Sequence, residues 1–370
     1  MNVKEKNTDA PSIELEDAVS PGKEEKQKKV ISIINKIFGF ILTTGILFGI
    51  AGLSVEYVLV KGPSPALRDT FVLTMLETRR FGFIANIFLS DEEVAEIKSR
   101  NTSTEVVETD TSLINISKGP EDGENRQGTE APQTTDYGLV DEDGDGLILE
   151  EIVGKTYSGY MLIVLDPSRV FVGKPDRFGG LGLTVEQMCQ KYDAIAGINA
   201  GGFYDPDGGG LGGRVAGLTV VDGEYYNEDS SAKSFAGFDE DGIFHVGYMD
   251  AESAREKNIR DGVTFEPILV ANGLPADTSG LVSGMNPRTA IGQRADGAVL
   301  LLVIDGRQAH SIGANYADLT EIMLDYGAVN ACNMDGGSST AMWYDGDYIN
   351  SCSARPRDLP TCFLVKREGA

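Results

Sequence analysis

Four Asp-Gly steps, Asp222-Gly223, Asp241-Gly242, Asp296-Gly297 and Asp345-Gly346, each separate two short apolar runs in the C-terminal half of this chain. Asp-Gly accommodates the positive-φ backbone of two-residue hairpin turns, so each step predicts a pair of antiparallel strands. The pairs fall at residues 215–221 and 224–226, 235–238 and 243–246, 288–293 and 298–304, and 342–344 and 348–350. Further strands are expected at 161–165, 170–172, 194–199, 328–332 and 362–365. Residues 184–193 read as a helix. So do residues 316–326, where Leu319, Ile322, Met323 and Tyr326 recur at i, i+3, i+4 and i+7 and mark one apolar face. The class implied is α+β, a mostly antiparallel sheet of hairpins with a few packed helices.

The N-terminal part follows other rules. Residues 37–55 contain no charged residue, and with residues 30–34 and 57–60 they form an apolar block. About 20 apolar residues suffice to span a bilayer. Lys23, Lys26, Lys28 and Lys29 precede the block, which places residues 1–29 in the cytoplasm and the remainder outside. An uncleaved anchor is expected over residues 30–60, giving a single-pass cell-membrane protein with an extracellular C-terminal domain. Residues 61–100 read as a helical stalk, with Ser90 as a cap before Asp91, Glu92 and Glu93. Residues 101–136 have no aromatic side chain and are rich in Thr, Ser, Glu, Gly and Pro, so a disordered linker is expected there. Residues 137–370 are then expected to form the main folded domain. The net charge of −25 excludes nucleic acid as a partner, because its phosphates would be repelled.

Several motifs carry competing chemistry. Asp141-Glu142-Asp143-Gly144-Asp145-Gly146 imitates a calcium loop, but its twelfth position is Ile152 instead of a bidentate acid. An acidic turn leading into a strand is the better reading. Cys189, Cys332, Cys352 and Cys362 lack the paired spacing of a zinc site. In an oxidising compartment Cys352 and Cys362 have a spacing that allows a bridge, and free buried thiols are the equal alternative. A Ser-His-Asp hydrolase finds only His245 and His310, and no Gly-x-Ser-x-Gly elbow. No metal-ligand set is identified.

Two segments demand a chemical explanation. Asn333-Met334-Asp335-Gly336-Gly337-Ser338-Ser339-Thr340 puts a carboxylate before a sharp glycine turn and three hydroxyls, at the end of an apolar strand. Asn286-Pro287-Arg288-Thr289-Ala290-Ile291-Gly292 puts a planar cation directly after a rigid Asn-Pro step. Asp305-Gly306-Arg307 emerges at the end of another apolar strand with His310 just beyond it. Asn199-Ala200-Gly201-Gly202-Phe203 ends a further strand with glycines that let a ligand approach the backbone closely.

Together these segments resemble the phosphodiester glycosidase family, over roughly residues 158–365. The run here has two glycines where some members have three, and Met334 stands where relatives often have leucine. The resemblance implies hydrolysis of a sugar-1-phosphodiester in a phosphorylated cell-surface or exopolysaccharide glycan. It assigns catalytic roles to Asp335 and Arg288, with Asp305 as second carboxylate. Asn199, Gly201, Gly202, Thr289, Arg307, His310, Asn333, Gly336, Gly337, Ser338, Ser339 and Thr340 become substrate-binding. No cofactor is required by the residues, although a divalent cation between Asp335 and phosphate is compatible with them. A phosphoglycosyl transferase or a non-catalytic glycan-binding module would share the same anchor and glycine-rich loops.

Overall fold

The computed structural model describes residues 21–77, 79–100, 108–116, 133–134, 138–205, 210–229, 231–278 and 284–369. The chain divides into two compact units, residues 1–59 and 60–370. The first contains most of a helix, Pro21–Lys61, whose 33 residues from Lys29 to Lys61 are long and apolar enough to cross a membrane. Its Phe38, Phe40 and Phe48 are exposed along the helix, as an apolar surface in need of a non-aqueous solvent would be.

The second unit begins with the expected helical segment, now resolved into Pro65–Glu77, a 3-10 stretch Arg79–Asn86, and Asp91–Arg100. Ser90 caps the last of these. Its hydroxyl accepts from the Glu93 N–H at 3.2 Å, and Glu93 accepts in return from the Ser90 N–H at 2.8 Å. Val60, Val72, Ala85, Leu89, Val94 and Ile97 form a small core of their own.

The expected linker is corrected in part. Residues 108–116 are docked on the domain. Thr109 Oγ1 donates to the Val246 carbonyl and accepts from the Val246 N–H, and the Asp110 N–H donates to Asn272 Oδ1. Ile114 is buried. Short polar side chains hold this segment by main-chain pairing, which is why its composition read as a tether. The rest of 101–136 lies outside the described residues apart from 133–134.

Three antiparallel sheets build the body. A seven-stranded sheet runs Leu274–Pro275, Ile268–Ala271, Ala328–Met334, Arg288–Arg294, Val299–Ile304, Ser158–Val164, Leu147–Val153. A five-stranded sheet runs Asp347–Tyr348, Met342–Tyr344, Ala194–Asn199, Cys362–Lys366, Val170–Gly173. The third runs Phe244–Met249, Lys233–Asp239, Ile259–Thr264, Thr219–Val221, Glu224–Tyr226. Strands Arg288–Arg294 and Val299–Ile304 are buried along their whole length, so both faces of the large sheet are covered. One face packs Leu300, Leu302 and Ala290 against Leu319, Ile322 and Met323 of the helix Tyr316–Asp325. The other packs Leu301, Val303 and Ile291 against Ile198, Phe238, Phe244 and Phe363 of the smaller sheets. The alternation of faces along each strand produces both cores from single apolar runs.

The helix Val185–Tyr192 has the capping box its Thr184 and Gln187 allow, and Tyr316–Asp325 is capped by Asn315 in the same way. The acidic motif at 141–146 is a turn leading into Leu147–Val153, with Asp141 accepting from the Gly144 and Gly146 N–H groups, both at 2.9 Å. All four cysteines are free thiols, which leaves the alternative of a Cys352–Cys362 bridge unrealised in this structure.

Candidate functional site

Antiparallel pairing brings four chain ends to one rim. Arg288 lies opposite Ile304, and Thr289 opposite Met334, so the start of one strand meets the ends of its two neighbours. Asn199, at the end of a strand in the five-stranded sheet, closes the group. It is fully buried. Its Oδ1 accepts from Thr289 Oγ1 at 2.7 Å and from the Ala341 N–H at 3.1 Å, while its Nδ2 donates to the Asp335 carbonyl. The Asp335 N–H donates to the Ala200 carbonyl at 3.0 Å. The main chain of Asp335 is therefore clamped on both sides by the Asn199-Ala200 step, and its side chain stands half-exposed at the rim.

This arrangement gives Asn199, Thr289 and Thr340 a structural task. Thr289 and Thr340 are buried at 0% and 1% exposure, with their hydroxyls 3.4 Å apart. Through Asn199 they belong to the frame that holds the Asp335 main chain. Asn199→Ala strips an acceptor from Thr289 and Ala341 and a donor from Asp335. A loss of about 3 kcal/mol in stability is expected, since each buried partner left unpaired costs about 1–3 kcal/mol. Chemical denaturation followed by tryptophan fluorescence at Trp343 measures it.

The turn after Asp335 is shaped by close backbone approach. A Cβ on Gly336 would lie 2.9 Å from the Pro287 carbonyl oxygen. Gly337 has φ +64°, which suits glycine, and its N–H donates to the same Pro287 oxygen at 2.9 Å. Ser338 is half-exposed at this turn, and Ser339 is buried inside it. Gly201, by contrast, is covered by Val263, and its N–H is taken by Thr361 Oγ1 at 3.2 Å. Gly202 remains half-exposed.

The two arginines separate. Arg288 is only 5% exposed. Its Nε donates to the Ala314 carbonyl at 3.1 Å and its Nη2 to the Gly284 carbonyl at 2.8 Å, and the guanidinium stacks 4.5 Å over the Tyr316 ring. The resemblance makes Arg288 the first candidate to hold a phosphate and Arg307 the second; here Nε and Nη2 of Arg288 meet main-chain carbonyls inside the frame. Arg307 is the exposed guanidinium at the rim. It lies about 3.4 Å from the position a Gly337 Cβ would take, and Nε and Nη2 converge on Asn286 Oδ1 at 3.2 and 2.8 Å. Asn286 is itself buried and tied to Ala314 by two main-chain bonds. Asn333 is likewise inside, 1% exposed, with Nδ2 donating to the Glu266 carbonyl at 2.8 Å. That bond ties the strand end to the loop at Glu266.

Asp305 is 4% exposed, with Oδ1 accepting from Asn350 Nδ2 at 3.1 Å and the Ser351 N–H at 2.9 Å. Oδ2 meets His310 Nε2 at 3.3 Å, and His310 is exposed. Asp305 is thus an anchored carboxylate behind an imidazole. His245, the other histidine, is buried against Asp239 at 2.8 Å, far along a strand of the third sheet.

Cysteine nucleophiles are disfavoured. Burial pushes the Cys352 thiol up, with the Asp305 charge adding to it, and burial pushes the Cys189 thiol up to about 12. Among the described residues, Asp141, Asp143 and Asp145 have ligand oxygens within 4.8 Å of one another. Those oxygens accept from the N–H groups of Gly144, Gly146 and Leu147, and burial raises the Asp145 carboxyl.

Sequence reasoning missed Asn286, Asn350 and the pair Asp205–Arg357. The last joins a buried carboxylate to a guanidinium at 2.7 Å that stacks on Phe203 at 5.0 Å. Asn286 opens the Asn-Pro-Arg motif and was the legible one.

Part of the chain that carries this rim resembles known proteins. Residues 192–366 match the family model described as phosphodiester glycosidase. An SPbeta prophage-derived uncharacterized protein of Bacillus subtilis, YomE, is 30% identical over 216 residues, covering 55% of this chain and 32% of that protein. The N-acetylglucosamine-1-phosphodiester alpha-N-acetylglucosaminidase of Mus musculus is 26% identical over 219 residues, covering 52% of this chain and 41% of the enzyme. The chain thus spans about a third to two fifths of the length of these curated relatives. The solved catalytic domain of the zebrafish enzyme of that name, auto-inhibited by its pro-peptide, covers 60% of this chain and 82% of its own at a TM-score of 0.51 and 20% identity. That likeness is one of fold. The four strand ends that meet at Asp335 all come from within residues 192–366, the segment that matches the phosphodiester glycosidase family model.

Proposed function

We propose that this domain hydrolyses a sugar-1-phosphodiester, releasing the sugar and leaving a phosphomonoester. The observation that carries the reading is the meeting of Asp335, Arg307 and the Asp305–His310 pair at one rim, each fixed by main-chain or amide contacts from a different strand end. Water supplies the oxygen that bonds to the anomeric carbon. The bond from that carbon to the bridging phosphate oxygen breaks, and its electron pair leaves on the phosphate. A phosphodiester leaving group already carries charge and departs as a weak base, so its chief requirement is a cation. Arg307 fills that role from its exposed place beside Gly337, and Arg288 braces the loop behind it. Asp335 acts at the anomeric carbon as base or nucleophile, and Asp305 acts through His310, so the two carboxylates have different tasks. Ser338 and the Gly336 backbone border the same rim and orient sugar hydroxyls or phosphate oxygens.

The N-terminal helix serves in this reading as a single-pass membrane anchor, with the domain outside the cell and a phosphorylated surface glycan or exopolysaccharide as substrate. What supports it is the lysine-rich flank before the apolar helix. The test is incubation of the purified full chain with a panel of sugar-1-phosphodiesters, with and without chelator, scoring free sugar and phosphomonoester. Free sugar in equal amount to phosphomonoester is expected. Sugar passed to an added acceptor would replace hydrolysis by transfer, and tight binding without turnover would reduce the domain to a glycan-binding module.

A further inference from the structure

The segment that follows the Asp345-Gly346 hairpin, residues 349–361, runs along the rim and touches each of its parts in turn. Asn350 and Ser351 bond Asp305. Ser351 Oγ donates to Gln308 Oε1 at 2.8 Å, and Gln308 Nε2 donates back to the Ser351 carbonyl. Ser353 Oγ reaches the Gly337 carbonyl at 3.5 Å, Arg357 pairs with Asp205, and Thr361 takes the Gly201 N–H. No motif in the sequence marks this segment as functional.

We propose that Asn350 is a positioning residue that acts on substrate through Asp305 and His310. Asn350 is 6% exposed and its amide bonds in both senses. Its Oδ1 accepts from the Met342 N–H at 2.8 Å, which orients the amide, and its Nδ2 is thereby aimed at Asp305 Oδ1. The Ser351 N–H completes that oxygen at 2.9 Å. With Oδ1 occupied twice, the carboxylate cannot rotate without leaving buried donors unpaired, a cost of about 1–3 kcal/mol for each. Oδ2 is thus held where it receives His310 Nε2. The backbone of His310 is fixed independently, because Gln308 and Ser311 pair in both directions across it, and Ser311 Oγ donates to the Asp305 carbonyl at 2.6 Å. Only the imidazole torsions remain to be set, and Asp305 sets them. An exposed imidazole held on one nitrogen presents the other to the rim as a directed hydrogen-bonding group. His310 would otherwise sample several rotamers and lose that direction.

The inference rests on the placement of His310 at the substrate rim, and its test separates the two. The full chain holds two histidines, and His245 is buried, so the ring carbon–proton resonance of His310 is assignable. Its NMR relaxation is compared in wild type, Asp305→Ala and Asn350→Ala, with circular dichroism as a check on folding. An ordered ring in wild type that becomes mobile to a similar degree in both variants is expected. Unchanged ring motion in a folded Asn350→Ala overturns the proposal. Asn350→Asp, which retains an acceptor for Met342 but offers no amide donor, supplies the second variant if Asn350→Ala is unfolded, with the same two outcomes.

Kinetics on the sugar-1-phosphodiester panel give the second readout. Asn350→Ala and His310→Ala should each lower kcat/KM about tenfold to a hundredfold, and the double variant should be no worse than His310→Ala alone. Multiplied losses in the double variant would show that Asn350 does not work through His310, and would overturn the inference even with hydrolysis established. Absence of turnover in wild type would instead overturn the functional reading, with the ring-motion comparison still deciding the positioning role.

Discussion

Asp335→Asn is expected to lower kcat/KM on a sugar-1-phosphodiester by roughly a thousandfold, within the 10²–10⁴ range that a positioned proton-transfer group contributes. The substitution preserves size and alters only the carboxylate. The Asp335 N–H still has the Ala200 carbonyl and its own carbonyl still has Asn199 Nδ2, so the midpoint of thermal unfolding should stay within about 2 °C of wild type, as surface changes of about 0.5 kcal/mol would leave it. The change creates an Asn-Gly step with Gly336, which cyclises and returns slowly to aspartate, so Asp335→Ala is measured beside it. Release of free sugar, followed by reducing-end assay on freshly purified protein, decides the matter. Wild-type rates in both variants would remove Asp335 from the reaction and with it the functional reading.

That prediction draws on the part of the site that was most readable from the sequence. Asp335, Gly336 and Gly337 sit where an apolar strand stops, and a strand end followed by two glycines is a local signal. The hairpins were readable for the same reason: Asp222-Gly223, Asp241-Gly242, Asp296-Gly297 and Asp345-Gly346 each turn between paired strands. The strand Ile259–Thr264 was not. It carries Arg260, Asp261 and Gly262, a polar run that reads as loop, and it is central in its sheet because Asp261 is satisfied there by the Asp222 N–H and by Arg260. Burial still raises the Asp261 carboxyl. Gly262 is needed because a side chain would overlap the ring of Phe235. Ile268–Ala271 has only four residues and follows Pro267, too short for periodicity to register. Which side chains face the rim and which lie inside was illegible as well. Asn199, Thr289, Arg288 and Asn333 are polar residues at strand ends, and polarity alone cannot tell a residue that meets substrate from one that ties two strands together. The difference depends on where Ala314, Gly284 and Glu266, distant in sequence, place their carbonyls.

The arginine pair turns this distinction into an experiment, because the two substitutions should fail in different ways. Arg307→Ala removes an exposed guanidinium that donates twice to Asn286 Oδ1. Its stability cost should be under about 1 kcal/mol, as for other exposed charges. Its catalytic cost should be about 10²–10³ in kcat/KM, the loss typical when one donor that stabilises developing charge is removed. Arg288→Ala removes a guanidinium buried among the Ala314 and Gly284 carbonyls and the Tyr316 ring. The Gly284 carbonyl then loses its donor while the Ala314 carbonyl keeps the Asn286 N–H, and about 1–3 kcal/mol of stability goes with the change. Activity falls too, but by loss of the frame, so a residual folded fraction at low temperature should bind the substrate phosphate more nearly like wild type than Arg307→Ala does. Arg307→Lys keeps the charge while losing the planar fork that spans Asn286 and the leaving group, and should recover only part of the rate. Unfolding midpoints and kcat/KM measured on the three variants place the phosphate contact. An Arg288→Ala protein with wild-type stability and no turnover would return the phosphate to Arg288, and would require the carbonyls of Ala314 and Gly284 to release its fork when substrate arrives.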